Sequence, residues 1–126
     1  MKKVQNILIA DNSRNIRDFL KREMMIAGHS IKLAKNAEEV IFLVHHQKIP
    51  FDFIILDPFY PYIDEYVLLE RILDPNCSCT IIIHTLYPEQ LAEFEKTDKV
   101  VLIEKRENSL ENILKLILNQ TVPVKR

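Results

Sequence analysis

The stretch Phe51-Asp52-Phe53-Ile54-Ile55-Leu56-Asp57-Pro58-Phe59-Tyr60-Pro61 decides how this chain folds. Its first half is apolar and too short for a buried helix. It marks a strand covered on both faces, the usual centre of a parallel sheet. Asp57 closes the run, and Pro58 and Pro61 hold the next residues in a loop. Three other runs end the same way, on a polar group. Val4 to Ala10 runs into Asp11, Ile81-Ile82-Ile83-His84 into Thr85, and Val100 to Glu104 into Lys105. As parallel strands they bring Asp11, Asp57, Thr85 and Lys105 to one edge, where open α/β sheets bind ligands. Two carboxylates, a hydroxyl and an ammonium suit a metal ion and a phosphoryl group.

Helix-like segments alternate with the strands. Asn12 or Ser13 can cap a first helix with Ile16, Phe19, Leu20 and Met24 on its apolar face, and Gly28 stands at its expected stop. His29 to Ala34 is a half-polar strand and so an edge. Asn36 with Glu39 makes a capping-box pattern for a second helix that turns Val40, Ile41, Leu43 and Val44 inward. Tyr66 to Leu73 is helical and Asp74-Pro75-Asn76 is a turn. Pro88, at a first helical position, starts a short helix through about Glu95. Asn108 with Glu111 is a second capping-box pattern, and the last helix buries Leu110, Ile113, Leu114, Ile117 and Leu118. The pattern is (βα)5. Short connections and right-handed crossovers make it a doubly wound α/β domain with a five-stranded parallel sheet, order 2-1-3-4-5, of flavodoxin-like type.

With 126 residues, 48% hydrophobic and 28% charged, the chain is one ordered domain. Residues 1–120 form it, and 121–126 are a tail too short for an output domain. The net charge of −1 and the lack of a basic patch remove the driver for sequence-independent nucleic-acid binding. Lys2-Lys3 precedes only a strand-like run, no stretch approaches membrane-spanning length, and a cytoplasmic location is the default expectation. Cys77 and Cys79 have no second Cys/His cluster to complete a zinc set and are expected to stay reduced. One glycine in the whole chain excludes a Gly-rich phosphate loop. Any phosphate held here is held by side chains and a few loop amides.

In this arrangement the chain resembles a response-regulator receiver domain of two-component signalling over nearly its whole length. The resemblance rests on Asp11-Asn12 after strand 1, Asp57 at the end of strand 3, Pro61 four residues on, Thr85 after strand 4 and Lys105 after strand 5. Each motif alone is weak, and their order makes the signal specific. The resemblance implies that Asp57 is the phosphoacceptor, a carboxylate able to form an acyl phosphate. It implies Mg²⁺, held by Asp11, Asn12, Asp57 and the backbone carbonyl of Phe59. Lys105 would pair with Asp57 and then with the phosphoryl group, Thr85 would donate its hydroxyl, and the amides of Phe59 and Leu86 would serve the remaining oxygens. The implied partners are a histidine kinase or phosphotransfer protein and a downstream protein target, with a homodimer open through the fourth-helix face. The domain would turn over no metabolite, so it is not read as an enzyme.

The chain departs from the pattern at several points. Asn12 replaces an acid and predicts weaker Mg²⁺ binding. Arg106 replaces the proline that usually follows the lysine in a cis bond. A cis non-proline bond costs about 3–4 kcal/mol, so a trans bond is expected, and the aim of Lys105 is open to change. Leu102 replaces the aromatic that usually swings inward on phosphorylation. Leu86 replaces a small residue, Glu65 a common glycine, and Phe59 and Tyr87 flank the opening.

Taken singly, Asp11 is compatible with a helix cap, Asp57-Pro58 with a turn, Thr85 with an ordinary strand residue and Lys105 with a solvated strand end. His45-His46 reads as a solvated helix face, and His84 has no catalytic role because adjacent strand residues face opposite ways. Tyr60 and Tyr62 fit either partner contacts or packing over the site, and Leu102 either core or an exposed patch. Two other functions stay open. One is a pseudo-receiver that signals by contact without phosphate. The other is a metal-dependent phosphatase, although Phe59 stands where its second aspartate belongs and no cap domain is present.

Overall fold

The computed structural model describes residues 3–73 and 78–119. The expected turn at Asp74-Pro75-Asn76, Cys77 and the tail 121–126 lie outside them. The elements run β1 (Asn6–Ala10), α1 (Arg14–Ile26), β2 (Ser30–Ala34), α2 (Ala37–His46), β3 (Phe53–Leu56), α3 (Glu65–Ile72), β4 (Thr80–Thr85), a 3-10 helix (Pro88–Lys96), β5 (Val100–Glu104) and α4 (Ser109–Leu118). All strand pairs are parallel, in the order β2-β1-β3-β4-β5 expected from the sequence.

Two apolar layers sandwich the sheet because its strands alternate faces. Leu8, Ile54, Leu56, Ile81 and Ile83 pack under Val40 of α2, Leu68, Leu69 and Ile72 of α3 and Leu91 of the 3-10 helix. Ile7, Ile9, Phe53, Ile55 and Ile82 pack under Leu20 and Met24 of α1 and Ile113, Leu116 and Ile117 of α4. The register pairs Ala10 with Leu56, Leu56 with Ile83 and Thr85 with Glu104. β1 and β3 end level, while β4 and β5 run two residues further and end level with each other, and Asp11, Asp57, Thr85 and Lys105 all fall at this carboxyl edge.

Helix starts obey local chemistry, with one exception. Ser13 Oγ accepts from the Ile16 amide, and Asn36 Oδ1 accepts from the Glu39 amide. Glu39 reaches back to the Lys35 amide rather than to that of Asn36. Asn108, expected to cap the last helix, makes no such bond. The next residue has taken over the turn: Ser109 Oγ, itself buried, bonds both the amide and the carbonyl of Arg106. In α4, Leu116 is buried and Leu118 only half so, one inward position away from the expected set.

The segment expected as a fourth α-helix is a 3-10 helix. Its apolar residues explain why. Leu91 is buried and Phe94 packs on the same core, a spacing of three that suits three residues per turn. The i+4 positions are Ala92 and Glu95, which give an α-helix little to bury. In the β3–α3 loop, Tyr62 takes a left-handed φ of 70° right after Pro61 and is fully exposed.

Stability measurements check this account. In urea unfolding, Ile82→Ala is expected to cost about 2–5 kcal/mol as a cavity in the closed layer. Asn36→Ala costs about 1 kcal/mol as a lost cap. Asn108→Ala stays within about 0.5 kcal/mol, since its side chain caps nothing.

Candidate functional site

Three chain-distant side chains meet at the carboxyl edge of the sheet. Lys105 Nζ lies 2.8 Å from Asp57 Oδ2 and 3.2 Å from Asp11 Oδ2. Asp11 Oδ1 accepts from the Ser13 amide at 2.8 Å, and the carbonyl of Asp11 accepts from Arg17 Nη1 at 2.6 Å. Asp11 Oδ2 is buried and accepts no hydrogen bond among the described residues, although it touches the ammonium as an ion pair. The strand ladder runs on beneath them. The Asp57 amide donates to the Ala10 carbonyl at 3.0 Å and the Lys105 amide to the Thr85 carbonyl at 2.8 Å.

Burial and charge set the protonation of these groups. Burial raises the Asp11 carboxyl above its usual range, and the Ser13 amide and the charge of Lys105 pull it back only in part. Burial pulls Lys105 down, but its hydrogen bond to Asp57 and the charges of both carboxylates outweigh this and hold it above its ordinary value. Tyr60 is buried, its hydroxyl finds no partner among the described residues, and burial with the charges of Asp11 and Asp57 raises it strongly.

Asn12 and Phe59, both expected as metal ligands, are bonded to each other: Asn12 Nδ2 donates to the Phe59 carbonyl at 3.1 Å. The Phe59 amide points at Asp57 Oδ1 at 3.3 Å. Thr85 stands at the same edge, fully buried, and its Oγ1 accepts from the Tyr87 amide at 3.3 Å. Among the described residues it makes no hydrogen bond to the carboxylates or to Lys105. The rings of Phe59 and Tyr87 meet edge to face, with centroids 5.6 Å apart, beside Asp57 and Thr85. Leu86 is exposed.

The bond between Lys105 and Arg106 is trans, as expected. Lys105 nonetheless aims at Asp57, so the missing proline does not turn it away. Tyr60 belongs to the core and Tyr62 to the surface, which separates two residues the sequence left together. Leu102 packs half-buried against the α2/α3 layer. His45 and His46 are exposed, with His45 Nε2 bonded to the Arg71 carbonyl and His46 stacked on Phe42. Cys79 is buried. His84 is buried too, 2.8 Å from Ser109 Oγ. The sequence carried no signal for that contact beyond a polar residue in an apolar strand.

Comparison with known proteins gives the same answer as the topology. The receiver domain of the Francisella response regulator 1452 superposes with a TM-score of 0.70 at 24% identity, covering 91% of this chain and 93% of that one. The Vibrio cholerae chemotaxis protein CheY4 gives 0.72 at 22%, over 93% and 98%. A receiver domain protein from Clostridium thermocellum gives 0.74 at 17%, over 92% and 93%. The chain has the fold of response-regulator receiver domains. A 73-residue stretch is also 36% identical to the probable transcriptional regulator ycf27 of Cyanidium caldarium, covering 56% of this chain and 28% of that protein. No family model matches the chain. Asp11, Asp57 and Lys105 come together at the carboxyl edge of this sheet. Among the described residues no helix is long and apolar enough to cross a membrane, and no three His, Cys, Asp or Glu side chains form a metal cluster.

His84 gives this receiver fold a pH signature. Burial, then the charge of Lys105, lowers it from 6.5 to about 4. The unfolded chain therefore takes up a proton that the folded one refuses between those values, and stability falls as pH drops through that window. The full shift corresponds to on the order of 3 kcal/mol. Asp11, raised, works in the opposite sense. Chemical unfolding at pH 7 and pH 5 should show a smaller acid loss in His84→Phe than in the parent protein.

Proposed function

We propose that the chain is a receiver that accepts a phosphoryl group on Asp57, from a histidine kinase or a phosphotransfer protein, and signals through protein contacts. The observation that carries this reading is the Lys105 ammonium held between Asp57 and Asp11 at 2.8 and 3.2 Å. Asp57 is the nucleophile: its carboxylate oxygen forms the new P–O bond while the donor's P–N bond breaks, and the released nitrogen takes a proton. Lys105 can track the incoming phosphoryl oxygens because it already spans the site. Thr85, which among the described residues only accepts from Tyr87, keeps its hydroxyl proton to donate. The Phe59 amide, aimed at Asp57, is in reach of the same oxygens. Positioning and charge do the work in such transfers.

The donors suit a hard divalent cation. The orphan Asp11 Oδ2, the Asp57 carboxylate and the Phe59 carbonyl are oxygens, and Mg²⁺ keeps several waters, so a full protein cage is not required. When bound, Mg²⁺ would neutralise charge building on the phosphoryl oxygens. Asn12 offers an oxygen without charge, and its amide engages the carbonyl that should face the ion. That bond favours a second reading, a pseudo-receiver that works by contact without phosphate.

Acetyl phosphate with Mg²⁺ separates the two. A mass gain on Asp57 that needs Mg²⁺ and is lost in Asp57→Asn supports the phosphoacceptor. No gain at high donor concentration supports the pseudo-receiver. Asn12→Asp should tighten Mg²⁺ binding by about five- to tenfold in calorimetry, since one added charge is worth about a kcal/mol at an exposed site. Phe59 and Tyr87 crowd the side from which water attacks the acyl phosphate. Self-dephosphorylation should be slow, with Phe59→Asn faster, as measured by decay of the phosphorylated mass after donor removal. Decay within minutes in the parent protein would count against the crowding.

A further inference from the structure

We propose that His84 and Ser109 are positioning residues, a buried latch that holds the turn after β5 and thereby sets Lys105 over Asp11 and Asp57. This rests on the phosphoacceptor reading of the site and concerns how its cation is aimed. Lys105 comes directly after an edge strand, since β5 pairs only with β4. A long side chain there has many rotamers, and its aim depends on the backbone that carries it. No proline stands after it: Arg106 does, in a trans bond. Arg106 is instead clasped by Ser109, whose Oγ lies 3.1 Å from the Arg106 amide and 2.8 Å from the Arg106 carbonyl. The Ser109 amide donates to the same carbonyl at 3.1 Å. From behind, His84 Nε2 reaches Ser109 Oγ at 2.8 Å. His84 and Ser109 are 1% and 3% exposed, so water does not compete for these bonds.

Counting protons fixes the direction of every bond. A carbonyl only accepts, so the single hydroxyl proton of Ser109 goes to Arg106. An amide only donates, so one lone pair of Oγ is taken by the Arg106 N–H. The other lone pair then requires a donor, and His84 must carry its proton on Nε2. That leaves Nδ1 as a bare acceptor, and among the described residues it is the ring nitrogen without a partner. The opposite tautomer would leave a buried N–H with no acceptor and two acceptors contesting one hydroxyl proton. The latch thus needs a proton on Nε2, which in the neutral imidazole fixes one tautomer. It also gives the last two residues of β4 separate tasks on opposite faces. Thr85 faces the phosphoryl side, while His84, paired in register with Ile103, braces the turn after β5.

Ring ¹⁵N shifts of the full chain at neutral pH should show His84 protonated on Nε2. The Nδ1–H tautomer would overturn the latch. His84→Phe keeps a ring of similar bulk without the donor, and Ser109→Ala removes the hydroxyl. Each should slow phosphorylation of Asp57 by acetyl phosphate about tenfold, the pair together no more than either alone, and Ser109→Thr should restore the rate. Parental rates in both single variants, or losses that multiply, would overturn it. Amide exchange decides the matter even if the parent protein takes no phosphoryl group, an outcome that would defeat the site reading alone. In His84→Phe the Arg106 amide, which His84 does not touch, should exchange at least tenfold faster while the Ile82 amide keeps its protection. Unchanged Arg106 exchange would refute the latch.

Discussion

Two carboxylates buried a few ångströms apart repel each other and lose their water, and an ammonium between them relieves both penalties. In this chain that ammonium is Lys105. Asp11 is almost fully buried, and desolvation raises it despite its neighbour. Removing one member of such a cluster leaves an uncompensated buried charge, the costly case for buried ions. The sheet is what makes the meeting possible. The three residues are separated by two long stretches of chain, and only parallel strands that share one carboxyl edge put them in contact.

The features that place this edge are local and periodic, which is why they can be read from sequence. Apolar runs of strand length, helices between them and polar residues at the run ends give the order 2-1-3-4-5 and the carboxyl-edge quartet. What was not legible depends on contacts between distant residues. The bond between Asn12 and Phe59 joins two loops, and nothing in either loop announces the other. His84 and Ser109 sit 25 residues apart, on a strand and a helix start. The capping pattern at Asn108 failed because Ser109, drawn into that contact, took over the turn. The 3-10 helix was legible in principle, since Leu91 and Phe94 stand three apart. That spacing is shared with α-helices and does not discriminate alone.

Where the chain departs from the receiver pattern, a compensating contact stands nearby. An acid at position 12 would repel the Phe59 carbonyl, whereas the amide of Asn12 donates to it. Without a proline after Lys105 the turn has no covalent restraint, and Ser109 clasps Arg106 through both of its backbone polar groups. Bulky Phe59 and Tyr87 meet edge to face, a favoured aromatic geometry, although Tyr87 stays exposed. These substitutions form a consistent set: Asp57 and its lysine partner are kept, and their supports are exchanged.

Charge explains why the two functional readings lie so close together. With Asn12 neutral, Asp11, Asp57 and Lys105 formally sum to a single negative charge. A second acid at position 12 would leave the cluster short of a cation and make a divalent ion nearly obligatory. With asparagine there, Lys105 meets most of the demand, and the site can stand as a folded, ion-paired cluster without a metal. Adding a phosphoryl group restores the demand, because its oxygens bring new negative charge beside Asp11. On the phosphoacceptor reading a metal would matter for the reaction far more than for the fold, and a chain with this cluster can keep its architecture on either reading.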